Sequence, residues 1–168
     1  MSKLCIITAR GGSKRIPRKN IKDFLGKPII AYSIEVATKS GLFDEVMVST
    51  DDPEIADIAT QYGATVPFFR SAENANDFAT TADVLLEVIA AYTKLNQTFD
   101  FVCCIYPTAP LVTAKRLEEG FAKLNQEGIH AVLPVVAFDY PIQRSLKMDD
   151  AQQISVSYTH LTLPTNRE

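Results

Sequence analysis

Residues 4–20 read LCIITARGGSKRIPRKN. Leu4–Thr8 is a compact apolar run that breaks directly into a glycine-containing, strongly basic stretch. A strand covered on both faces reads as a continuous hydrophobic run rather than an alternating one. The run therefore predicts a buried strand, and Ala9–Asn20 predicts the loop at its carboxyl end.

Outward from this point, apolar runs of strand length alternate with amphipathic runs of helix length. Pro28–Ser40 carries Ile30, Ile34 and Ala37 at helical spacing, with Gly41 placed to stop it. Glu45–Thr50 predicts the next strand. Asp51-Asp52-Pro53 then offers an N-cap and a proline for a helix that carries Ile55, Ile58 and Ala59 and ends at Gly63. Thr65–Phe69 is a short strand candidate, and Ser71–Ala79 is polar and aperiodic, as a surface loop is. Thr81 is placed to cap a helix to about Leu95, with Val84, Leu85, Val88, Ile89 and Tyr92 inward. Phe99–Tyr106 is the strongest strand signal, Thr113 caps a helix over Ala114–Gln126, and Ile129–Val136 is a fifth strand candidate. This alternation predicts an α/β fold with a mainly parallel sheet and helices on both faces. Ligands of such sheets bind beyond the carboxyl ends of the strands, so the loops after Thr8, Thr50, Phe69 and Tyr106 are candidates.

The composition is that of a globular domain: 168 residues, 46% hydrophobic, 22% charged, net charge −3. That balance gives no reason to expect nucleic acid or an anionic membrane as partner. Locally the balance reverses, because Arg10, Lys14, Arg15, Arg18, Lys19, Lys22 and Lys27 are opposed only by Asp23. Such a concentrated field suits a small anionic ligand. No apolar run reaches the ~20 residues of a membrane span, and the N-terminus turns polar too soon for a signal peptide. Cys5, Cys103 and Cys104 lack zinc-site spacing and form no disulfide framework, so buried reduced thiols in a cytoplasmic protein are expected.

Gly11 and Gly12 permit positive φ and close approach of main-chain N–H groups to phosphate oxygens. Lys14, Arg15, Arg18 and Lys19 add cationic arms, the usual answer to the roughly four negative charges of a nucleoside triphosphate. The loop is neither a Walker A sequence nor a G-x-G-x-x-G fingerprint. A solvated basic turn is the plain alternative.

The stretch Ala9–Ile21, with Leu25-Gly26-Lys27-Pro28-Ile29, resembles the signature of the sugar-acid cytidylyltransferases, the group containing CMP-N-acetylneuraminic acid synthetase. Val48–Asp52, Val66–Arg70 and Pro107-Thr108-Ala109-Pro110 resemble further family motifs in the same order. The resemblance covers nearly all of residues 4–144. It implies a Rossmann-like nucleotidyltransferase fold, a three-layer α/β/α sandwich. It also implies that Ala9, Arg10, Gly11, Gly12, Ser13 and Lys14 cradle the triphosphate of CTP. Lys19 and Asn20 would lie at the α-phosphate, with Lys19 and Arg10 as the catalytic cations. Arg70 would reach the nucleotide side of the cleft, and the loop Asn76–Thr81, with Thr80, would help close over ribose or base. Asp51 and Asp52 read equally well as helix caps and as ligand contacts.

On the sugar side, Cys103-Cys104-Ile105-Tyr106 before Pro107, and Phe138–Arg144, resemble the pseudaminic-acid branch of the family. Tyr106, Thr108, Gln143 and Arg144 are the expected sugar contacts, Arg144 being suited to a carboxylate. Tyr106 also reads as a packed strand end, and Tyr140-Pro141 as a plain turn. The implied reaction is attack of the sugar's anomeric hydroxyl on the α-phosphorus of CTP, with release of pyrophosphate. Mg²⁺ is implied as cofactor, its aspartate ligands lying beyond this chain. A homodimer is implied for the longer protein.

Residues from about Ser155 match neither a capped helix nor a strand bounded by turns. They resemble translated adaptor sequence, which predicts a nucleotidyltransferase domain over 1–154 and a foreign tail over 155–168. Weak or no turnover is then expected of the chain as written. Three alternatives stay open: a relative acting on N-acetylneuraminic, legionaminic or keto-deoxy-octulosonic acid; a non-catalytic nucleotide-binding or glycosyltransferase-like domain; and a doubly wound domain without nucleotide function.

Overall fold

A computed structural model of the chain describes residues 1–136, 146–150 and 153–156. It divides into two compact units, Met1–Val132 and Leu133–Glu168.

The first unit is built on a three-stranded parallel sheet of order β4-β1-β5, from β1 (Lys3–Thr8), β4 (Glu45–Ser49) and β5 (Phe101–Ile105). Between β1 and β4 come a 3₁₀ turn (Lys19–Ile21), a two-residue hairpin of β2 (Asp23–Phe24) and β3 (Lys27–Pro28), and helix α1 (Ile29–Lys39). Helices α2 (Pro53–Gln61) and α3 (Thr81–Lys94) connect β4 to β5, and α4 (Ala114–Leu124) follows. The three strands of this sheet pair in parallel, with Cys5 opposite both Val46 and Cys103.

Strand periodicity divides the core between two faces. Cys5, Ile7 and Ala9 pack with Ile30, Ile34 and Ala37 of α1 and Ile55 and Ala59 of α2. Leu4 and Ile6 point the other way, onto Val88 and Tyr92 of α3. Helices thus cover both faces, the three-layer α/β/α arrangement expected. Tyr92 is fully buried, stacks edge-on between Phe68 and Phe99, and donates its hydroxyl to Glu45 at 2.6 Å.

Four sequence expectations are corrected. Thr65–Phe69 forms only a bridge, Met47 to Thr65. Thr65 exchanges both main-chain bonds with Val46 and Val48, but the next donor in register is Pro67, which has no N–H. Ile129–Val136 forms no strand among the described residues. Leu133, Val135 and Val136 are exposed, and Pro134 has no hydrogen to give a ladder. The cap of α3 is Thr80 rather than Thr81, and Ile89 of that helix lies half outside. Of the three cysteines only Cys5 is buried; Cys103 is half-buried and Cys104, on the outer strand β5, is exposed. All three are free thiols.

In the second unit, β6 (Leu146–Met148) and β7 (Ile154–Val156) pair antiparallel. Ser155 and Val156, for which the sequence indicates no element, thus lie in a strand. Among the described residues no helix is long and apolar enough to cross a membrane.

Candidate functional site

The exits of β1 and β5 frame a polar cleft of about 200 Å³. Thr8, Arg10, Ser13, Lys19 and Asn20 form one wall, and Tyr106, Pro107 and Thr108 another. Arg70 and the segment Asn74–Thr81 supply the remainder. Its position at the strands' carboxyl ends is the one the alternating pattern predicts.

The basic loop leaves the sheet with its first residue still inside it. Ala9 is buried in the core and donates its N–H to Ser49 O at 2.9 Å, so it anchors the loop rather than facing the cleft. Gly11 N–H donates to Asp51 Oδ1 at 2.8 Å. A side chain at Gly11 has no room, since its Cβ would stand 2.6 Å from Asp52 Oδ2. Gly12 has open space around its Cα, and Ser13 N–H turns back to Gly11 O at 2.9 Å. The two aspartates that the sequence left open are thereby separated: Asp51 ties down the glycine turn, and Asp52 caps α2 by accepting from Ile55 N–H at 3.1 Å.

Arg18 departs from the phosphate-arm reading. It sits in the left-handed region, φ 54°, and its guanidinium pairs with Asp52 and Glu54 at the start of α2. That guanidinium holds the Asp52 carboxyl below its ordinary range. One residue on, Lys19 enters the cleft, and Asn20 is buried. Asn20 Nδ2 donates to Arg10 O at 2.8 Å, while its Oδ1 is buried without a partner. An orphaned acceptor in a cleft of donors is a place for a ligand hydroxyl or a water.

Arg70 is also buried, held by Nε to Ser49 Oγ at 3.0 Å and Nη2 to Ser49 O at 2.6 Å. Burial lowers its pKa, and Asp51 and Glu87 work against that; a guanidinium so placed stays charged. Glu87 in turn holds the start of the facing segment through Ser71 N–H at 2.7 Å and Asn74 Nδ2. Thr80 lines the cleft, yet its hydroxyl is engaged in a reciprocal cap with Asp83. Its neighbour Thr81 is the hydroxyl that reaches across, 3.2 Å from Tyr106 OH. Tyr106 is exposed and Thr108 lies beside it. Lys14 is 80% exposed and is not part of the cleft wall; it pairs with Asp77, as does Arg10.

The cleft thus brings together Arg10, Ser13, Lys19, Asn20, Arg70, Thr80, Tyr106 and Thr108 of the expected set. Ala9, Gly11, Gly12 and Lys14 build or flank the loop, and Gln143 and Arg144 lie outside the described residues. Asp77 and Thr81 are additions. An acidic residue in a loop facing a basic one is the signal for Asp77, and the first helical turn after Thr80 is the signal for Thr81. Among the described residues no group of three His, Cys, Asp or Glu side chains gathers as a metal site.

A family profile described as Cytidylyltransferase matches residues 4–160. The chain is 47% identical over 154 residues to a pseudaminic acid cytidylyltransferase of Campylobacter jejuni, covering 92% of this chain and 66% of that one. It is 41% identical over 134 residues to a CMP-N,N'-diacetyllegionaminic acid synthase of Legionella pneumophila, covering 79% and 58%. Its fold is similar to a solved CMP:2-keto-3-deoxy-manno-octonic acid synthetase complexed with CTP, with TM-score 0.64, 26% identity, and 76% and 48% coverage. The chain therefore spans just under two thirds of the Campylobacter relative's length.

Proposed function

Since this chain belongs to the cytidylyltransferase family, we propose that its cleft binds CTP and serves CMP transfer to the anomeric hydroxyl of a nonulosonic acid, pseudaminic acid first. The observation that carries this is the arrangement of the cleft: Arg10, Lys19 and buried Arg70 line one space that opens onto Tyr106 and Thr108. Three cations on one side suit a polyanion, and hydroxyls on the other suit a sugar.

In the reaction the anomeric hydroxyl loses its proton to solvent, its oxygen forms a bond to the α-phosphorus, and the bond to the bridging oxygen breaks as pyrophosphate leaves. Such transfers depend mainly on positioning and on neutralising charge as it develops. Lys19 and Arg10 supply fixed positive charge at the cleft wall. Asn20 holds the Arg10 carbonyl, and so the loop. Tyr106 and Thr81, hydroxyl to hydroxyl, offer a donor–acceptor edge to the sugar. Gln143 and Arg144 are proposed as further sugar contacts.

The described residues do not fit a Mg²⁺ site. The carboxylates nearest the cleft serve the chain's own donors: Asp51 takes Gly11 N–H, Asp52 takes Arg18, and Asp77 takes Arg10 and Lys14. Mg²⁺ remains the proposed cofactor of the longer protein. A domain over 1–154 with a foreign tail, a cytoplasmic location, homodimer formation in the longer protein, and the lack of nucleic-acid or membrane partners complete the proposal.

The test has two arms. Calorimetric titration of the chain with CTP and ATP is expected to show CTP preferred, and preference for ATP, or no binding, rejects the nucleotide assignment. Pyrophosphate release is then followed in the longer protein with pseudaminic, legionaminic and N-acetylneuraminic acids. Pseudaminic acid is expected to give the highest kcat/KM, and a higher value for another sugar moves the assignment to that sugar.

A further inference from the structure

The cations that the CTP reading assigns to phosphate already hold an anion of the chain's own. Arg10 Nη1 lies 2.8 Å from Asp77 Oδ1, and the Lys14 ammonium pairs with Asp77 Oδ2. Arg10 Nη1 also donates to Asn76 O at 2.8 Å. One carboxylate thereby offers its two oxygens to the two long cationic arms of the glycine loop, as a phosphate group does.

We propose that Asp77 is a built-in stand-in for nucleotide phosphate. It keeps Arg10 and Lys14 gathered while the cleft is free, and surrenders them when CTP enters, releasing the tip of residues 76–79 from the glycine loop. This deepens the CTP reading and rests on it.

The construction of the segment supports such an exchange. Its start is fixed through Ser71 and Asn74 to Glu87, and its end through the reciprocal Thr80–Asp83 cap. Between them, Asn76 Oδ1 accepts from Phe78 N–H at 2.7 Å and Ala79 N–H at 2.9 Å, which closes the tip into one small turn. The one large apolar side chain of that turn, Phe78, is 91% exposed and does not anchor it. The tip is therefore tied to the glycine loop by Arg10 and Lys14, through partly exposed polar contacts that are individually weak. A triphosphate carries several charges against the single charge of Asp77. Asp77 is held by Arg10 and Lys14, whereas Lys19, Asn20 and Arg70 line the cleft beside it, so an incoming nucleotide has a first hold before Asp77 yields.

The experiment compares the wild-type chain with Asp77→Asn, each titrated calorimetrically with CTP and with inorganic tripolyphosphate. Removing the competing charge is expected to tighten both ligands about two- to thirtyfold, the span of two exposed ion pairs. Hydrogen exchange of amides 76–79 in the wild type is expected to quicken when CTP is added. That second measurement needs no substitution, so it decides the matter if Asp77→Asn does not fold. Equal or weaker binding by a folded Asp77→Asn, or slower exchange with CTP, shows instead that Asp77 only positions the loop, and overturns the proposal. A wild type that binds neither ligand overturns the CTP reading and this proposal together.

Discussion

Arg70 shows how one residue serves both the core and the cleft. Its guanidinium grips Ser49 at the end of β4 twice, through the hydroxyl and the carbonyl, while facing the nucleotide side. Lysine keeps the charge but lacks the planar fork, so it cannot make both bonds from one position. Arg70→Lys is expected to lose about 1–3 kcal/mol of stability, the cost of leaving a buried acceptor unpaired. Chemical denaturation checks this, and an unchanged midpoint would refute the structural half of the role. Asn20 is the sharper case. Asn20→Asp replaces the Nδ2 donor with a carboxylate oxygen facing the Arg10 carbonyl, and it puts a negative charge where phosphate is proposed to sit. CTP affinity is expected to drop at least about tenfold, since a charge repelled in a cleft costs more than a lost neutral bond. Calorimetry reads it directly, and retention of wild-type affinity would remove Asn20 from the nucleotide site.

At the scale of elements, caps and turns decide where the cleft residues point. Thr80 and Thr81 are adjacent hydroxyls at the start of one helix, and only Thr80 has an acid three residues later, Asp83, to return its bond. Thr80→Ala is expected to cost about 1 kcal/mol of stability, whereas Thr81→Ala leaves stability unchanged and weakens the sugar's KM; equal melting losses from both would contradict this division. Gly11→Ala is expected to cost roughly 1–2 kcal/mol, because its Cβ displaces Asp52 from the α2 cap. Differential scanning calorimetry tests that, and an unshifted Tm would mean the loop gives way instead. The same features explain what the sequence made legible. Strands flanked by helices and the helices themselves follow from apolar spacing, and the basic glycine loop identified one wall of the cleft. The strand candidates Thr65–Phe69 and Ile129–Val136 are apolar enough, but a strand is a property of a pair. Pro67 and Pro134 withhold the donors that pairing needs. The Thr80–Asp83 reciprocity was readable and distinguishes the two threonines. The grip of Arg70 on Ser49 was not readable, and the acidic character of Asp77 gave no partner, because each contact joins segments far apart in the chain.

Ion pairs flank the cleft while one phenol is locked in the core, bonded to Glu45 at the start of β4, and the two respond oppositely to pH. Asp52, Asp77 and Asp83 have folded pKa values below the ordinary carboxylate range, because Arg18, Lys14 with Arg10, and Thr80 respectively favour their charged forms. A group lowered on folding adds stability above its unfolded pKa, about 4, and loses it as pH falls through the folded value. Acid should therefore unfold the chain progressively below about pH 4. Tyr92 works in the other direction. Burial, and then its bond to Glu45, push its pKa up. Lys27 is likewise raised by its contact with Glu35. Groups raised on folding hold their contribution below the unfolded pKa, about 10, and lose it as pH climbs. The melting temperature is expected to be flat between about pH 5 and 9 and to fall on either side. Tyr92→Phe isolates the alkaline limb: the ring stays between Phe68 and Phe99, and Glu45 keeps its bond from Thr65 Oγ1 at 2.8 Å. The variant should melt close to wild type at pH 7 and decline less steeply above pH ~10. If both proteins lose stability at the same rate there, the alkaline response belongs to the lysines and not to the phenol in the core.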